Sequence, residues 1–136
     1  RACAAAVACG SPGGATGEVN AGDVLGRYAQ ALSPDGFIDA AGNLKLATSV
    51  SGYAGYRHLW SEKTRSSLVL SGNRTTNPAW TFATIPKNAR SFHLNLIHSP
   101  ISKVNLGVEL IGARLEQQGG ARGSLTRLQF SGKYPF

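Results

Sequence analysis

The final stretch, SLTRLQFSGKYPF from Ser124 to Phe136, alternates without a break. Leu128, Phe130, Tyr134 and Phe136 fall on even positions with Gly132 among them, and Arg127, Gln129, Ser131 and Lys133 fall on odd ones. A period of two gives a β-strand with one apolar and one polar face. Slipping such a strand by one residue would turn every apolar side chain to the wrong surroundings, so its register is tightly specified.

The same pattern recurs upstream. From Leu44 to Trp60, the positions Leu46, Val50, Ala54, Tyr56 and Trp60 oppose Ser49, Ser51 and Arg57. From Arg65 to Arg74, Leu68 and Leu70 oppose Arg65, Ser67, Ser71 and Asn73, with Val69 as an exception. Phe92, Leu94 and Leu96 oppose His93 and Asn95, and Val104, Leu106, Val108 and Leu110 oppose Asn105 and Glu109. Glu18–Ala31 is ambiguous, with Val24 and Tyr28 in a weak strand pattern. Turn chemistry separates these runs: Ser33-Pro34-Asp35-Gly36, Ala41-Gly42-Asn43, Ser61–Thr64, Pro100–Lys103 and Gln117–Gly123. Pro78 and Pro86 mark a further connection, because proline donates nothing to a ladder.

Long connections (33–43, 75–89, 116–123) alternate with short ones (61–64, 100–103). Short turns on one rim and longer loops on the other is the layout of a transmembrane β-barrel. Pairing the last two strands across Gly119-Gly120 keeps even opposite even, so Leu110 is expected to face Phe130. Tyr56, Trp60, Tyr134 and Phe136 gather at the short-turn rim, as an interfacial girdle would. An aromatic last residue, with apolar positions at the same parity behind it, also resembles the C-terminal signal of bacterial outer-membrane barrels. Phe130, Tyr134 and Phe136 would then be read by the barrel-assembly machinery.

The expected fold class is all-β, an antiparallel up-and-down meander of about six strands over 17–136. Residues 1–16, rich in Gly and Ala, are expected to be a flexible lead-in. A single-chain bacterial barrel needs about eight strands or more, so the meander is expected to be the C-terminal part of a longer transmembrane barrel. The absence of Met points the same way, to a processed chain or a fragment.

A net charge of +7 and a pI near 9.9 favour acidic partners: nucleic acid, anionic lipid or small anions. No apolar run reaches the roughly 18 residues that a membrane-spanning helix needs. Cys3 and Cys9, the only cysteines, form either a local disulfide or two incidental thiols.

In a barrel, positions in step with Leu68, Leu94, Leu106 and Phe130 face lipid and those out of step face the lumen. The candidate lumenal set is Arg57, Arg65, His93, Asn95, Glu109, Arg127 and Lys133. Fixed cations in a narrow pore attract anions, and weak multi-site binding lets them leave again; the same cations could equally just solvate the wall and balance carboxylates. Glu109 is expected across from His93 and diagonally near Lys133, as part of a polar network. His93 and His98 have opposite parity and cannot share a metal from one face. No nucleophile elbow or phosphate-binding fingerprint is present, so neither an enzyme nor a cofactor is expected. Arg114 shares the apolar parity near a loop end, where its length lets it reach headgroups.

The runs YAGYRHLWSEKTRSSLVLS (Tyr53–Ser71) and FHLNLIHSPISKVNLGVELIGARLEQQGGARGSLTRLQFSGKYPF (Phe92–Phe136) resemble the DcaP-like porins of Gram-negative outer membranes. With GDVLGRYAQAL and PDGFIDAAGNLKL the resemblance covers most of Gly22–Phe136. It implies a homotrimeric, sixteen-stranded channel in the bacterial outer membrane, with a basic constriction for small anionic solutes such as dicarboxylates. Outer-membrane lipid and the assembly machinery would be its other partners, and nucleic acid would not be one. The chain departs from the family pattern at His98 and Pro135, and Arg1–Thr16 has no counterpart in it. Two readings stay beside this one: a small soluble basic β-domain that binds nucleic acid on an aromatic-decorated sheet, and an inert truncated porin fragment.

Overall fold

A computed structural model of the chain describes residues 2–7, 13–23 and 34–134. Strands β1 (Ala2–Val7) and β2 (Gly13–Asp23) come first, followed by a small hairpin of β3 (Gly36–Ile38) and β4 (Leu44–Leu46). The remaining strands are β5 (Thr48–Leu59), β6 (Thr64–Thr76), β7 (Pro86–His98), β8 (Asn105–Gln117) and β9 (Arg122–Lys133). Seven of them form one antiparallel sheet in the order β1-β2-β5-β6-β7-β8-β9, with β3–β4 as a separate two-stranded sheet. The fold is the all-β meander that the alternation dictates.

Six strands of this sheet, β2 and β5–β9, are 11 to 13 residues long. A tilted strand crosses a bilayer in about 9–11 residues, so each is long enough to do so. Four residues, 60–63, join β5 to β6, and 99–104 join β7 to β8 on the same rim. Ser61 Oγ accepts from the Lys63 and Thr64 amides at 3.2 and 3.1 Å and closes the first turn.

Several expectations are corrected. The supposed lead-in over 1–16 contains β1 and the start of β2. Cross-strand partners override weak local propensity there, as Ala15 meets Tyr56 and Gly17 meets Ala54. Cys9 lies outside the described residues, as do Val24, Tyr28, Pro135 and Phe136. Leu44–Trp60 is not one strand, because Leu44–Leu46 pairs with β3 while Thr48 opens β5. The last connection is a tight turn, not a long loop: the Gln117 amide donates to the Ala121 carbonyl at 2.9 Å, and Gly120 takes a φ of +83°, which suits glycine. That turn shifts the register by two residues from the expected one. Leu110 faces Leu128, and Phe130 faces Val108.

Among the described residues, burial is inverted relative to a water-soluble sheet. The most sheltered side chains include Ser49 at 1% exposed and Thr75 at 2%, whose hydroxyls lie 3.1 Å apart. Leu128 at 57% and Phe130 at 75% stand exposed, along with Leu68, Leu70, Leu94, Leu96 and Leu106. On β7 the alternation is clean: Ser91, His93, Asn95 and Ile97 are half-buried while Phe92, Leu94, Leu96 and His98 are exposed. Side chains on the inside of a curved sheet shield one another, so the sheet curves toward its polar face and turns its apolar face outward.

Candidate functional site

The register stacks the face opposite Leu94 and Phe130 in rows, with Arg65, His93, Asn95 and Glu109 half-buried on it and Arg57, Arg127 and Lys133 exposed. Nearest the short-turn rim, Asn105 pairs with Lys133. Next come Leu59, Arg65, Ile97, Gly107 and Ser131, then Arg57, Ser67, Asn95, Glu109 and Gln129. The row above holds Gly55, Val69, His93, Ile111 and Arg127. All seven residues expected to share a face, Arg57, Arg65, His93, Asn95, Glu109, Arg127 and Lys133, therefore do so. Val69, the exception in the sequence pattern, sits among them opposite Gly55 and His93.

Within this face, contacts run diagonally. His93 Nδ1 lies 3.3 Å from Glu109 Oε1, although the ladder pairs His93 with Ile111 and Glu109 with Asn95. The expected direct opposition of His93 and Glu109 is thus a diagonal. Lys133 pairs with Asn105, two rows away from the row of Glu109, and is not its neighbour. Arg65 Nη2 reaches past Ile97 and donates to Asn105 Oδ1 at 3.4 Å, where Ser99 Oγ also donates at 2.7 Å. Asn95 Oδ1 has no hydrogen-bond partner among the described residues.

Above these rows the face changes character. Glu18, Ser51, Tyr53, Ser71, Asn73 and Ser91 line a groove of about 720 Å³ toward the long-loop rim. Ser71 and Ser91 hydroxyls meet at 2.7 Å. Four of the seven expected residues are fixed cations in the lower rows, whereas the upper ones carry hydroxyl and amide groups and one carboxylate on the β2–β7 side, with Ala113, Leu115 and Leu125 on β8 and β9. Glu18 and Asn20 were missed in the sequence because their segment lacks bulky apolar residues. The alternation of Glu18 and Asn20 with Val19 and Ala21 is the signal that marks them.

On the outward face, Trp60 closes β5 at the short-turn rim and donates from Nε1 to Ser66 Oγ at 2.9 Å. Its ring meets His58 edge-on at 4.4 Å between centroids, and His58 in turn stacks with Tyr56 at 6.3 Å. Tyr134 follows the end of β9 on that same rim, and Phe130 stands one row inward from Leu106. Among the described residues no group of His, Cys, Asp and Glu is placed to hold a metal.

The backbone can be set against solved structures. It superposes on the crystal structure of the outer membrane channel DcaP of Acinetobacter baumannii with a TM-score of 0.82 over 93% of this chain. The fold is porin-like. Sequence identity is 16%, and the chain spans 37% of that channel's length. No protein-family model and no curated protein sequence matches the chain.

Proposed function

We propose that this porin-like sheet is a sector of a barrel wall in the bacterial outer membrane, and that its sheltered face lines a passive diffusion channel preferring small anions. The inversion of burial carries the proposal: Leu128 and Phe130 outward, Ser49 and Thr75 inward. In water such an exposed apolar face would cost roughly 25 cal/mol per Å², whereas hydrocarbon accepts it. Free edges at β1 and β9 would leave ladder groups unpaired at several kcal/mol each in lipid, so further strands close the wall.

Lys133, Arg65, Arg57 and Arg127 supply the anion preference in the lower rows, opposed by Glu109. Such a wall selects by field and binds weakly at several points, with no chemical step and no cofactor. Dicarboxylates are the solutes we favour and a homotrimer the assembly, both following from likeness to DcaP-like porins. A stacking platform for nucleic acid fits less well, because aromatic rings would interleave with Arg and Lys on one accessible face. Here Tyr56, Phe92 and Phe130 stand on the face opposite the cations of the lower rows.

The test is planar-bilayer recording on the full-length protein that carries this chain, with Arg57→Gln and Arg127→Gln combined. The reversal potential in a salt gradient should move toward cations. An unaltered anion preference removes the arginines from the selectivity argument.

A further inference from the structure

The outward face is not apolar from end to end. Toward the long-loop rim it carries Arg74, Arg90, Arg114 and Arg122, all exposed. The ladder places Arg90 directly opposite Arg114, and the next row runs Arg74, Asn88, Glu116, Arg122. Like charges facing each other across a ladder are destabilising unless something offsets them. Glu116 is already engaged, 3.5 Å from Arg122 and accepting from Asn88 at 3.3 Å. Among the described residues no carboxylate pairs with Arg74, Arg90 or Arg114.

These arginines border hollows. One, of about 460 Å³, lies over Gly52 and Gly72 between Val19, Val50, Arg74 and Arg90. Another, of about 590 Å³, is lined in part by Leu70, Phe92, Gly112, Arg90 and Arg114. Missing side chains at Gly52 and Gly72 open the first hollow, apolar residues line both, and Arg74, Arg90 and Arg114 border them. A free anion would use only the edge; an amphiphile with a phosphate head and hydrocarbon chains uses both.

We propose that Arg90 and Arg114, flanked by Arg74, hold the phosphate groups of a phosphorylated glycolipid in the outer leaflet, with its acyl chains lying over Leu70 and Phe92. Guanidinium forks match phosphate oxygens bidentately, and a bound phosphate removes the repulsion between the facing arginines. The inference rests on the reading that this face meets the membrane.

Native mass spectrometry of the full-length protein in dodecyl maltoside, titrated with bis-phosphorylated lipid A, tests it. The double variant Arg90→Gln with Arg114→Gln should bind about tenfold or more weakly, since each basic residue at a membrane surface contributes to anionic-lipid affinity. Lys103→Gln, at the opposite rim, should bind as the unaltered protein does. Removing both phosphates from the lipid should reproduce the loss, and inorganic phosphate should not compete. Equal binding by the double variant, equal binding of dephosphorylated lipid, or full competition by inorganic phosphate overturns the site. So does a cross-link between two copies from a cysteine placed at Arg90 that excludes the lipid. Planar-bilayer recording on the same double variant separates the two readings. A conducting variant with unaltered lipid affinity ends the lipid site alone, while an unaltered protein that never conducts ends the channel reading.

Discussion

The ring of Phe92 on β7 occupies the space that a Cβ on Gly112 of β8 would need. The two residues are directly paired in the ladder, and Gly112 is buried although its row faces outward. An aromatic side chain thereby covers backbone that glycine leaves bare, which is a known device for keeping a glycine within a sheet.

Gly112→Ala is expected to push the Phe92 ring off this position and to destabilise the wall by about 1–3 kcal/mol, as overpacking does. In a Phe92→Leu background the same substitution should cost less, giving a coupling on the order of 0.5–3 kcal/mol. Urea unfolding of the full-length protein in lipid vesicles measures both. Additive costs would show that ring and glycine act independently.

Face assignment makes a sharper contrast. Leu94 and Asn95 are neighbours in β7 but point to opposite faces. Leu94→Arg places a charge in the middle of the apolar rows and should cost about 2–4 kcal/mol, the range for a barrel's lipid face near mid-bilayer. Asn95→Arg should fold with a much smaller loss and alter conductance instead. Comparable destabilisation by both would contradict the orientation.

Glu109 is the carboxylate among the lower rows, 3.3 Å from His93. Glu109→Gln leaves the side-chain shape and removes one negative charge from a face that also carries Arg57, Arg65, Arg127 and Lys133. Anion preference in planar bilayers should rise, the opposite direction to the arginine replacements. A fall would mean that Glu109 does not oppose the cations.

The β3–β4 hairpin, outside the long strands, depends on Asp39. Its Oδ1 accepts from the Ala41 and Asn43 amides at 2.9 and 2.8 Å, with Gly42 at a φ of +82° completing the turn. The hydrogen bond from the Asn43 backbone is the main reason that this carboxyl titrates below its ordinary 3.8. Because the folded value lies below the unfolded one, the turn's contribution is present above pH 3.8 and is lost as pH falls through the folded value. The Asn43 amide resonance should therefore shift with a midpoint under 3.8, and Asp39→Asn should abolish that titration.

The sequence by itself determined the strands and their two faces. The alternation through Arg65–Arg74, Arg90–Ser99 and Ser124–Lys133 leaves one arrangement of apolar and polar sides, because a period of two admits no other. That was enough to gather Arg57, Arg65, His93, Asn95, Glu109, Arg127 and Lys133 on a single face. Tertiary structure alone decided which side is sheltered, and which residues stand level with one another. Leu110 meets Leu128 rather than Phe130 because the turn after Gln117 is tighter than its glycines suggest, and turn length sets register along the whole ladder. Glycine- and alanine-rich β2 carries too little side-chain bulk to declare itself, and its pairing with β1 and β5 makes it a strand. The curvature that shelters Ser49 and Thr75 and presents Phe130 belongs to the sheet as a whole, so no local stretch of residues encodes it.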